Sequence, residues 1–256
     1  MLHASTMTRE VIGKQVGFLM LEEFRTNLLL VRSLLTRPKH LVLNAKATRI
    51  TSSEAWLAEV RASTNEADLQ PAKFEVPHDQ LEARTFWINL YNALTLQAIM
   101  RNKIQHSVLE FPGFFDCCAY QVFAGSLEFT LTLSEIEHGV LRGNRAVLFS
   151  APFAANDPRL DLILPLEPRI HFALNCGAIS CPPIRTYRAE NLEAQLDLAT
   201  RSYLQTVRLE NGIVILPRLL QWYAKDFGNP LEFVRKYRPD LSANARVRFD
   251  AYDWSK

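Results

Sequence analysis

The chain is poor in the residues that build several specialised classes of protein. Its 256 residues include only 9 glycines and 4 cysteines, and the formal net charge is +2. Four cysteines in a chain of this length do not form a disulfide framework. The glycines form no phosphate-binding loop and no dinucleotide fingerprint. A net charge this close to zero provides no strong field for nucleic acid or anionic lipid, so neither is expected as a partner.

Long hydrophobic runs are also absent from the sequence. The apolar segment 28–31 lies between Arg25 and Arg32 and is too short to span a bilayer. Residues 1–10 lack the basic region, apolar run and small-residue cleavage site of a secretory signal. No internal repeat or low-complexity run occurs. We therefore expect a soluble cytoplasmic protein.

The N-terminal quarter is predicted to be helical. Apolar residues recur at three- and four-residue intervals over residues 8–35, which is the pattern of one long amphipathic helix or two in sequence. A further helix begins near Thr51, which forms a capping box with Glu54. We divide the chain into an N-terminal helical cap, residues 1–68, and a main domain, residues 69–256. The alternative is that the first segment is a separate partner-binding unit.

Residues 84–100 contain no glycine or proline and place apolar side chains all around a helix. This pattern predicts a helix that is buried on most sides. Asn89 and Asn92 lie three residues apart on one face of it. One interpretation is that they tie the helix to neighbouring backbone, because an unpaired buried amide is costly. The other is that they line a site and bind a substrate carbonyl or amide.

A short helix is predicted between Ser134 and Gly143. Ser134 and Glu137 have capping-box spacing and Gly143 suits the C-terminal end. Glu137 falls within the apolar stripe of this helix and His138 lies at its edge. A carboxylate aimed at the core is unusual. It either caps the helix or serves a histidine, a cation or a metal. Adjacent helix residues point in different directions, so Glu137 is more suited to orient His171 than His138.

The stretch 169–183 organises the rest of the chain. Apolar residues alternate with His171, Ala173 and Asn175, which predicts a strand with His171 and Asn175 on one face. Gly177 should end the strand just after Cys176. A cysteine at such a break, near a histidine, has the arrangement of a thiol nucleophile and its base. A structural role in packing is the alternative. Cys181 follows closely but without zinc-knuckle spacing.

The remaining segments favour an α+β fold. A helix is predicted over residues 190–205, a β-hairpin around Asn211-Gly212, and a final strand over residues 247–254. The expected architecture is a buried central helix packed on a small, mostly antiparallel sheet, with the N-terminal helical cap beside it.

Four blocks of the sequence carry a family resemblance. They are Phe-Trp-Ile-Asn-Leu-Tyr-Asn-Ala-Leu at 86–94, Leu-Ser-Glu-Ile-Glu-His-Gly-Val-Leu-Arg at 133–142, Arg-Ile-His-Phe-Ala-Leu-Asn-Cys-Gly-Ala-Ile-Ser-Cys-Pro at 169–182, and the tail 249–255. Together they resemble the Domain of Unknown Function 547 (DUF547) family. The family has no settled activity. Its recurring polar positions are carried over here, which favours a site over packing: Asn89, Asn92, Glu137, His138, His171, Asn175, Cys176 and Cys181.

The chain is also similar, more loosely, to papain- and transglutaminase-type folds. That resemblance implies a central helix on an antiparallel sheet with a histidine on a strand. One departure is clear: in those enzymes the nucleophilic cysteine heads the central helix, whereas here that helix offers Asn89 and Asn92. Either the nucleophile has moved beyond the histidine, or a binding pocket remains without it.

These patterns lead to a hypothesis of a thiol-dependent acyl-transfer or amide-hydrolysis enzyme acting on a small molecule or peptide without a cofactor. Cys176 is the nucleophile, with Cys181 as second choice, and His171 is the base. Glu137 or Asn175 orients that base, and Asn89 and Asn92 supply oxyanion-type donors. One rival is a redox or metal site built from Cys176, Cys181, His171 and His138. The other is a non-catalytic module that binds a peptide or small molecule. The oligomeric state does not follow from the sequence.

Overall fold

A computed structural model describes residues 48–50, 52–63, 72–116, 119–146 and 152–256. The helix predicted over residues 8–35 lies outside these ranges, as do Cys117 and Cys118. The division into a helical cap and a main domain therefore stays a prediction.

The predicted central helix is confirmed. After strand β1 (Thr48–Ile50), helix α1 (Ser53–Ala62) and strand β2 (Ala72–Glu75), helix α2 runs from Gln80 to Arg101. The Asp79 carboxylate caps it by accepting hydrogen bonds from the backbone N–H groups of Leu81 and Glu82, which satisfies donors that a helix start leaves unpaired. Side chains on several faces of α2 are buried, including Trp87 and Leu90, so this helix forms the centre of the main core.

Two small sheets flank the helices, and both are mixed. Strands β3 (Ala119–Ala124) and β4 (Leu127–Thr132) form an antiparallel hairpin, and β2 joins β3 in parallel with β1 outside it. In the second sheet, β5 (Arg208–Glu210) and β6 (Ile213–Leu216) are antiparallel, and β7 (Arg246–Phe249) joins β6 in parallel. The α+β fold is confirmed. The expectation of a mostly antiparallel sheet is wrong, because strands distant in sequence join each hairpin in parallel.

The strand predicted over residues 169–175 is a 3₁₀-helix, Pro168–Phe172. Proline is preorganised for a first helical position, and the Glu167 carboxylate accepts the backbone N–H of Arg169 at 3.0 Å. These local signals override the alternation of apolar residues. His171 and Asn175 therefore do not share a strand face, and the strand-borne histidine that the looser resemblance implies is not found.

The helix predicted between Ser134 and Gly143 is a π-helix, Glu135–Leu141. The N–H of Arg142 donates to the carbonyl of Glu137 at 2.9 Å, which is the five-residue spacing of that form. The Ser134 side chain makes no capping bond. The reciprocal pair is Thr132 and Glu135 instead, with distances of 2.9 and 3.2 Å, so the capping box lies two residues earlier than predicted.

The other α-helices pack around the second sheet, whereas two of the 3₁₀ turns contribute to the main core. They are α3 (Leu192–Leu204), α4 (Leu219–Trp222), α5 (Ala224–Phe227) and α6 (Pro230–Arg235), with 3₁₀ turns at Val108–Glu110, Pro158–Leu162 and Ala189–Asn191. A second apolar core packs between these helices and the sheet, with Phe172 among its members. None of the helices in the described ranges combines the length and the hydrophobicity of a membrane-spanning segment.

Candidate functional site

Two half-buried thiols meet in the loop after the Pro168–Phe172 helix. Cys176 and Cys181 form no disulfide, and the backbone N–H of Cys176 donates to Cys181 Sγ at 3.0 Å. The Tyr252 hydroxyl lies 3.2 Å from Cys176 Sγ and 3.0 Å from Cys181 Sγ. One phenol therefore contacts both sulfurs and holds them near each other.

The loop is closed by its own residues. Asn175 Oδ1 accepts the N–H of Gly177 at 2.8 Å, and Asn175 Nδ2 donates to the carbonyl of Pro182 at 2.7 Å. Gly177 has φ +87°, a conformation that L-residues with a side chain rarely adopt. A Cβ at this position would also lie 2.7 Å from Ile99 Cδ1. Asn175 thus shapes the cysteine loop, and its side-chain hydrogen bonds go to that loop and not to His171.

Both central-helix asparagines fasten this loop. Asn92 donates to the carbonyl of Ala173 and accepts the N–H of Asn175, each at 2.9 Å. Asn89 donates to the carbonyl of Tyr187 at 2.8 Å and accepts its N–H at 2.9 Å. The two side chains are completely buried. The first interpretation of this pair, a tie to neighbouring backbone, describes their role in the structure.

Residues 250–256 cover the loop from outside. The N–H of Ile179 donates to the carbonyl of Ser255 at 2.6 Å, and that of Ser180 donates to the carbonyl of Asp253 at 3.2 Å. The Ser180 hydroxyl accepts the N–H of Asp253 at 2.8 Å. These backbone contacts place the Tyr252 side chain over the two thiols.

The two thiols differ in acidity. Burial raises the pKa of Cys181, but hydrogen bonds from Cys176, from Tyr252 and from backbone N–H groups of the loop outweigh it and bring the pKa to about 7. The hydrogen bond with Cys181 raises the pKa of Cys176 well above its usual value, and burial adds to the shift. Cys181 is therefore substantially a thiolate near neutral pH, while Cys176 stays protonated.

Glu137 belongs to a second group of polar side chains. Its carboxylate accepts the hydroxyls of Tyr91 and Tyr223, both at 2.8 Å. Burial favours the protonated acid, yet His138 and these hydroxyl bonds lower the pKa of Glu137. His138 is a cation only in acid, so near neutral pH the two phenols hold the charge.

His171 is oriented by Asp226 and not by Glu137. Its Nε2 lies 2.9 Å from Asp226 Oδ2, and its ring stacks on Tyr223 with centroids 4.0 Å apart. Burial lowers the pKa of His171 although the bond to Asp226 opposes this. The ring is therefore neutral near pH 7 and donates from Nε2.

Asp226 is a buried anion that pairs with two arginines. Arg142 Nε lies 2.6 Å from Oδ2, and Arg145 Nη1 lies 3.3 Å from Oδ1. Burial acts against the charge, but the bonds from His171 and Arg142 drive the pKa of Asp226 far below its usual range. Such a pair is costly to break from one side.

His138 is held by the same arginine. Its Nδ1 lies 2.9 Å from Arg142 Nη1, so it accepts that N–H, and it is 3.9 Å from Glu137 Oε1. Burial lowers the pKa of His138 to about 4, and the Arg142 charge assists. Glu137 therefore makes no hydrogen bond to either histidine. For His138 this agrees with the prediction that adjacent helix residues point in different directions. For His171 it contradicts the expectation that Glu137 orients the ring.

The expected combination of Cys176, His171 and Glu137 is therefore distributed over separate contacts. Within the described ranges, no hydrogen bond joins His171 to either thiol. The two sulfurs form hydrogen bonds with Tyr252. His171 forms one with Asp226, and Glu137 accepts hydrogen bonds from two tyrosines. Tyr223 connects the last two, because its ring stacks on the histidine and its hydroxyl reaches the carboxylate.

The site residues predicted from the sequence fall within one match to a protein-family model. Residues 78–204 match the family model described as "Protein of unknown function, DUF547". This segment is a DUF547 domain. No curated protein and no solved structure matches the chain, and the looser similarity to papain and transglutaminases is not shown. Every site residue predicted from the sequence lies inside the DUF547 match.

Three residues that complete the site lie after the DUF547 match. Tyr223, Asp226 and Tyr252 were not among the sequence candidates. Tyr252 belongs to the tail block that resembles the family ending, which was its available signal. Asp226 lies in the short helix Ala224–Phe227, which also carries Lys225, so this segment offered no comparable signal in the sequence.

Proposed function

We propose that Cys176 and Cys181 form a reactive dithiol that exchanges with a disulfide substrate. The observation that carries the proposal is that both sulfurs lie within hydrogen-bond distance of one Tyr252 hydroxyl, while Cys181 Sγ also accepts a hydrogen bond from the backbone N–H of Cys176. A low-pKa attacking thiol beside a protonated partner is the arrangement that thiol–disulfide exchange uses. Of the hypotheses drawn from the sequence, this is the redox alternative.

The chemistry is balanced within the pair and its substrate. The Cys181 thiolate attacks one sulfur of a disulfide R–S–S–R, a mixed disulfide forms, and one R–S⁻ leaves. Cys176 then loses its proton to that thiolate, and its sulfur attacks Cys181 Sγ and displaces the second R–S⁻, which takes a proton from solvent. The dithiol loses two electrons and becomes a disulfide, while the substrate gains them as two thiols.

The geometry favours this reaction over acyl transfer. In the Cys–His arrangement predicted from the sequence the imidazole hydrogen-bonds the thiol, but Nε2 of His171 hydrogen-bonds Asp226. The more acidic thiol is also Cys181 and not the first-choice Cys176. For the metal alternative, the described part of the chain has no group of three His, Cys, Asp or Glu side chains arranged to hold an ion.

Free thiols of this kind persist in reducing compartments. The proposal therefore keeps the cytoplasm as the location, and a small molecule or peptide as the substrate. A protein with this function is an enzyme, because a second reductant of the thiol class regenerates the dithiol.

The test compares wild type, Cys176→Ser and Cys181→Ser after exposure to 2-hydroxyethyl disulfide, with peptide mass spectrometry. Wild type should form a Cys176–Cys181 disulfide. Cys176→Ser should accumulate a mixed disulfide on Cys181, whereas Cys181→Ser should react on Cys176 many times more slowly. The serines are isosteric, so each variant serves as the control for the other.

Two results would reject the proposal. One is a wild-type protein in which both thiols stay reduced while a free peptide thiol reacts. The other is equal, slow labelling of both single variants. If Cys181 instead forms a thioester with an activated ester and Cys176→Ser turns over as fast as wild type, the acyl-transfer hypothesis takes the place of the redox one.

A further inference from the structure

A pocket of about 120 Å³ opens beside the cysteine pair. Ser180 and Tyr252 form the part of its lining that adjoins the thiols, since Ser180 precedes Cys181 and the Tyr252 hydroxyl contacts both sulfurs. The lining continues to Arg208, Arg218 and Asp250. Redox chemistry at the sulfurs makes no use of these charged residues, so they require a separate explanation.

Arg218 is the uncompensated charge in this pocket. Its Nε donates to the backbone carbonyl of Asp250 at 2.8 Å, and its Nη1 donates to Gln221 Oε1 at 2.7 Å. Both partners are neutral, and no carboxylate among the described residues forms an ion pair with it. A guanidinium has five N–H donors, so further donors remain for a ligand.

Arg208, at the pocket's edge, has carboxylate partners of its own. It is half exposed and pairs with Glu210 and Asp250, each at 2.9 Å. Asp250 is therefore neutralised by Arg208, and its side chain does not balance Arg218. The pocket retains the charge of one arginine.

The size of the pocket limits what it can hold. A volume of about 120 Å³ is well below the roughly 300 Å³ at which sites for drug-sized ligands begin. It suits one small planar anion on a short stem. A carboxylate matches the fork of a guanidinium in shape and charge.

We infer that the dithiol's substrate is a small disulfide that carries a carboxylate, and that Arg218 binds this group in the pocket beside Tyr252. The inference rests on the proposed function, since it assigns the substrate class of the same site. Tyr252 lines the same pocket as Arg218, and its hydroxyl lies 3.0 Å from Cys181 Sγ, so a short stem joins a carboxylate held at Arg218 to a disulfide near the thiolate.

The experiment uses two aromatic disulfides of different charge, and each variant is compared with wild type on the same probe. The first is 5,5′-dithiobis(2-nitrobenzoate), which carries a carboxylate on each ring, and the second is the neutral 4,4′-dithiodipyridine. Second-order rate constants for Cys181 are measured with both, in wild type, Arg218→Gln and Arg61→Gln. The last is the charge-matched control, because Arg61 is exposed on helix α1.

Arg218→Gln should slow the anionic disulfide by about tenfold, the equivalent of losing one charge-assisted hydrogen bond, and leave the neutral one within about twofold. Arg61→Gln should change neither rate. High salt should reduce the preference of wild type for the anionic probe.

The possible failures are separable. If Arg218→Gln slows both probes equally, or neither, while Cys181 still reacts quickly, the carboxylate inference is wrong and the dithiol proposal survives. If Cys181 reacts with both probes no faster than a free peptide thiol, the dithiol proposal itself fails. Circular dichroism of Arg218→Gln, with Arg218→Lys as a second variant that keeps the charge, excludes misfolding as the cause of a loss.

Discussion

The most informative single change is Tyr252→Phe, which removes one oxygen from the centre of the site. The Tyr252 hydroxyl lies 3.0 Å from Cys181 Sγ, and its bond is one of the contacts that lower the pKa of that thiol to about 7. The phenylalanine ring keeps the packing against Trp222 and Trp254. The variant should therefore change the acidity of Cys181 more than the fold.

The magnitude follows from the charge on the acceptor. A hydrogen bond to a charged group contributes about 1.5–3 kcal/mol, and one pKa unit corresponds to about 1.4 kcal/mol. For a half-buried sulfur we take the lower end, so the pKa of Cys181 should rise to about 8. Near pH 7 the thiolate fraction then falls about fivefold, but a more basic thiolate is about threefold more nucleophilic.

These two effects nearly cancel in the rate near pH 7, so the midpoint of the pH profile is the quantity to measure. Iodoacetamide labelling of Cys181 from about pH 5 to pH 10, read by peptide mass spectrometry, should show the midpoint shifted up by about one unit and a plateau about threefold higher. Tyr237→Phe is the matched control, since that hydroxyl donates to Asp197 and to neither sulfur. An unchanged midpoint in Tyr252→Phe would refute the assignment of the phenol as a donor to the thiolate.

Three other variants test the framework of the site. Asn92→Ala should lower the free energy of unfolding, measured in urea, by about 3 kcal/mol, because two buried backbone groups lose their hydrogen-bond partner. The control Asn102→Ala loses one half-buried hydrogen bond and should cost about 1 kcal/mol, so equal losses would contradict the role of Asn92 in fastening the loop. Gly177→Ala should cost about 2–4 kcal/mol in the same assay, from backbone strain and the close contact of the new Cβ together. Gly125 also has a positive φ, +61°, but open space around it, so Gly125→Ala should cost clearly less. An unchanged stability of Gly177→Ala would show that the loop rearranges freely. The pKa of His138 is about 4 in the folded protein and near 6.5 in the unfolded chain. Between these values the unfolded chain binds more protons, so the free energy of unfolding should fall as pH drops from about 6.5 toward 4, by up to about 1.4 kcal/mol per pH unit. His138→Gln should flatten this slope, and an identical slope in the variant would place the titration at another group.

Elements with strong local signals were predictable from the sequence. The central helix has continuous apolar sides and a clear N-cap, and the hairpin at residues 208–216 has an Asn211-Gly212 turn with φ of +50° and +75°. In both cases local preference and tertiary packing favour the same structure. The error at residues 169–175 arose where they conflict: alternation favoured a strand, but Pro168 and the Glu167 cap begin a 3₁₀-helix.

The site was predictable in residue types and not in pairings. Asn89, Asn92, Glu137, His171 and both thiols all lie in the buried polar region around the central helix. Their partners come from segments far away in sequence, such as the 84 residues that separate Arg142 from Asp226. Neither periodicity nor spacing carries information over such a separation, so the sequence could not show that Asp226, and not Glu137, bonds the histidine.

The two asparagine fastenings have a consequence for hydrogen exchange. Asn89 and Asn92 lie three residues apart on the most buried helix and bind both flanks of the thiol loop. Amides of the loop that depend on these bonds should exchange only when the central helix itself opens. The segment 250–256 is attached through exposed or half-buried residues, so its amides should exchange much earlier. Access of a large molecule to the sulfurs is then controlled by detachment of this segment, at a rate that its own exchange would report.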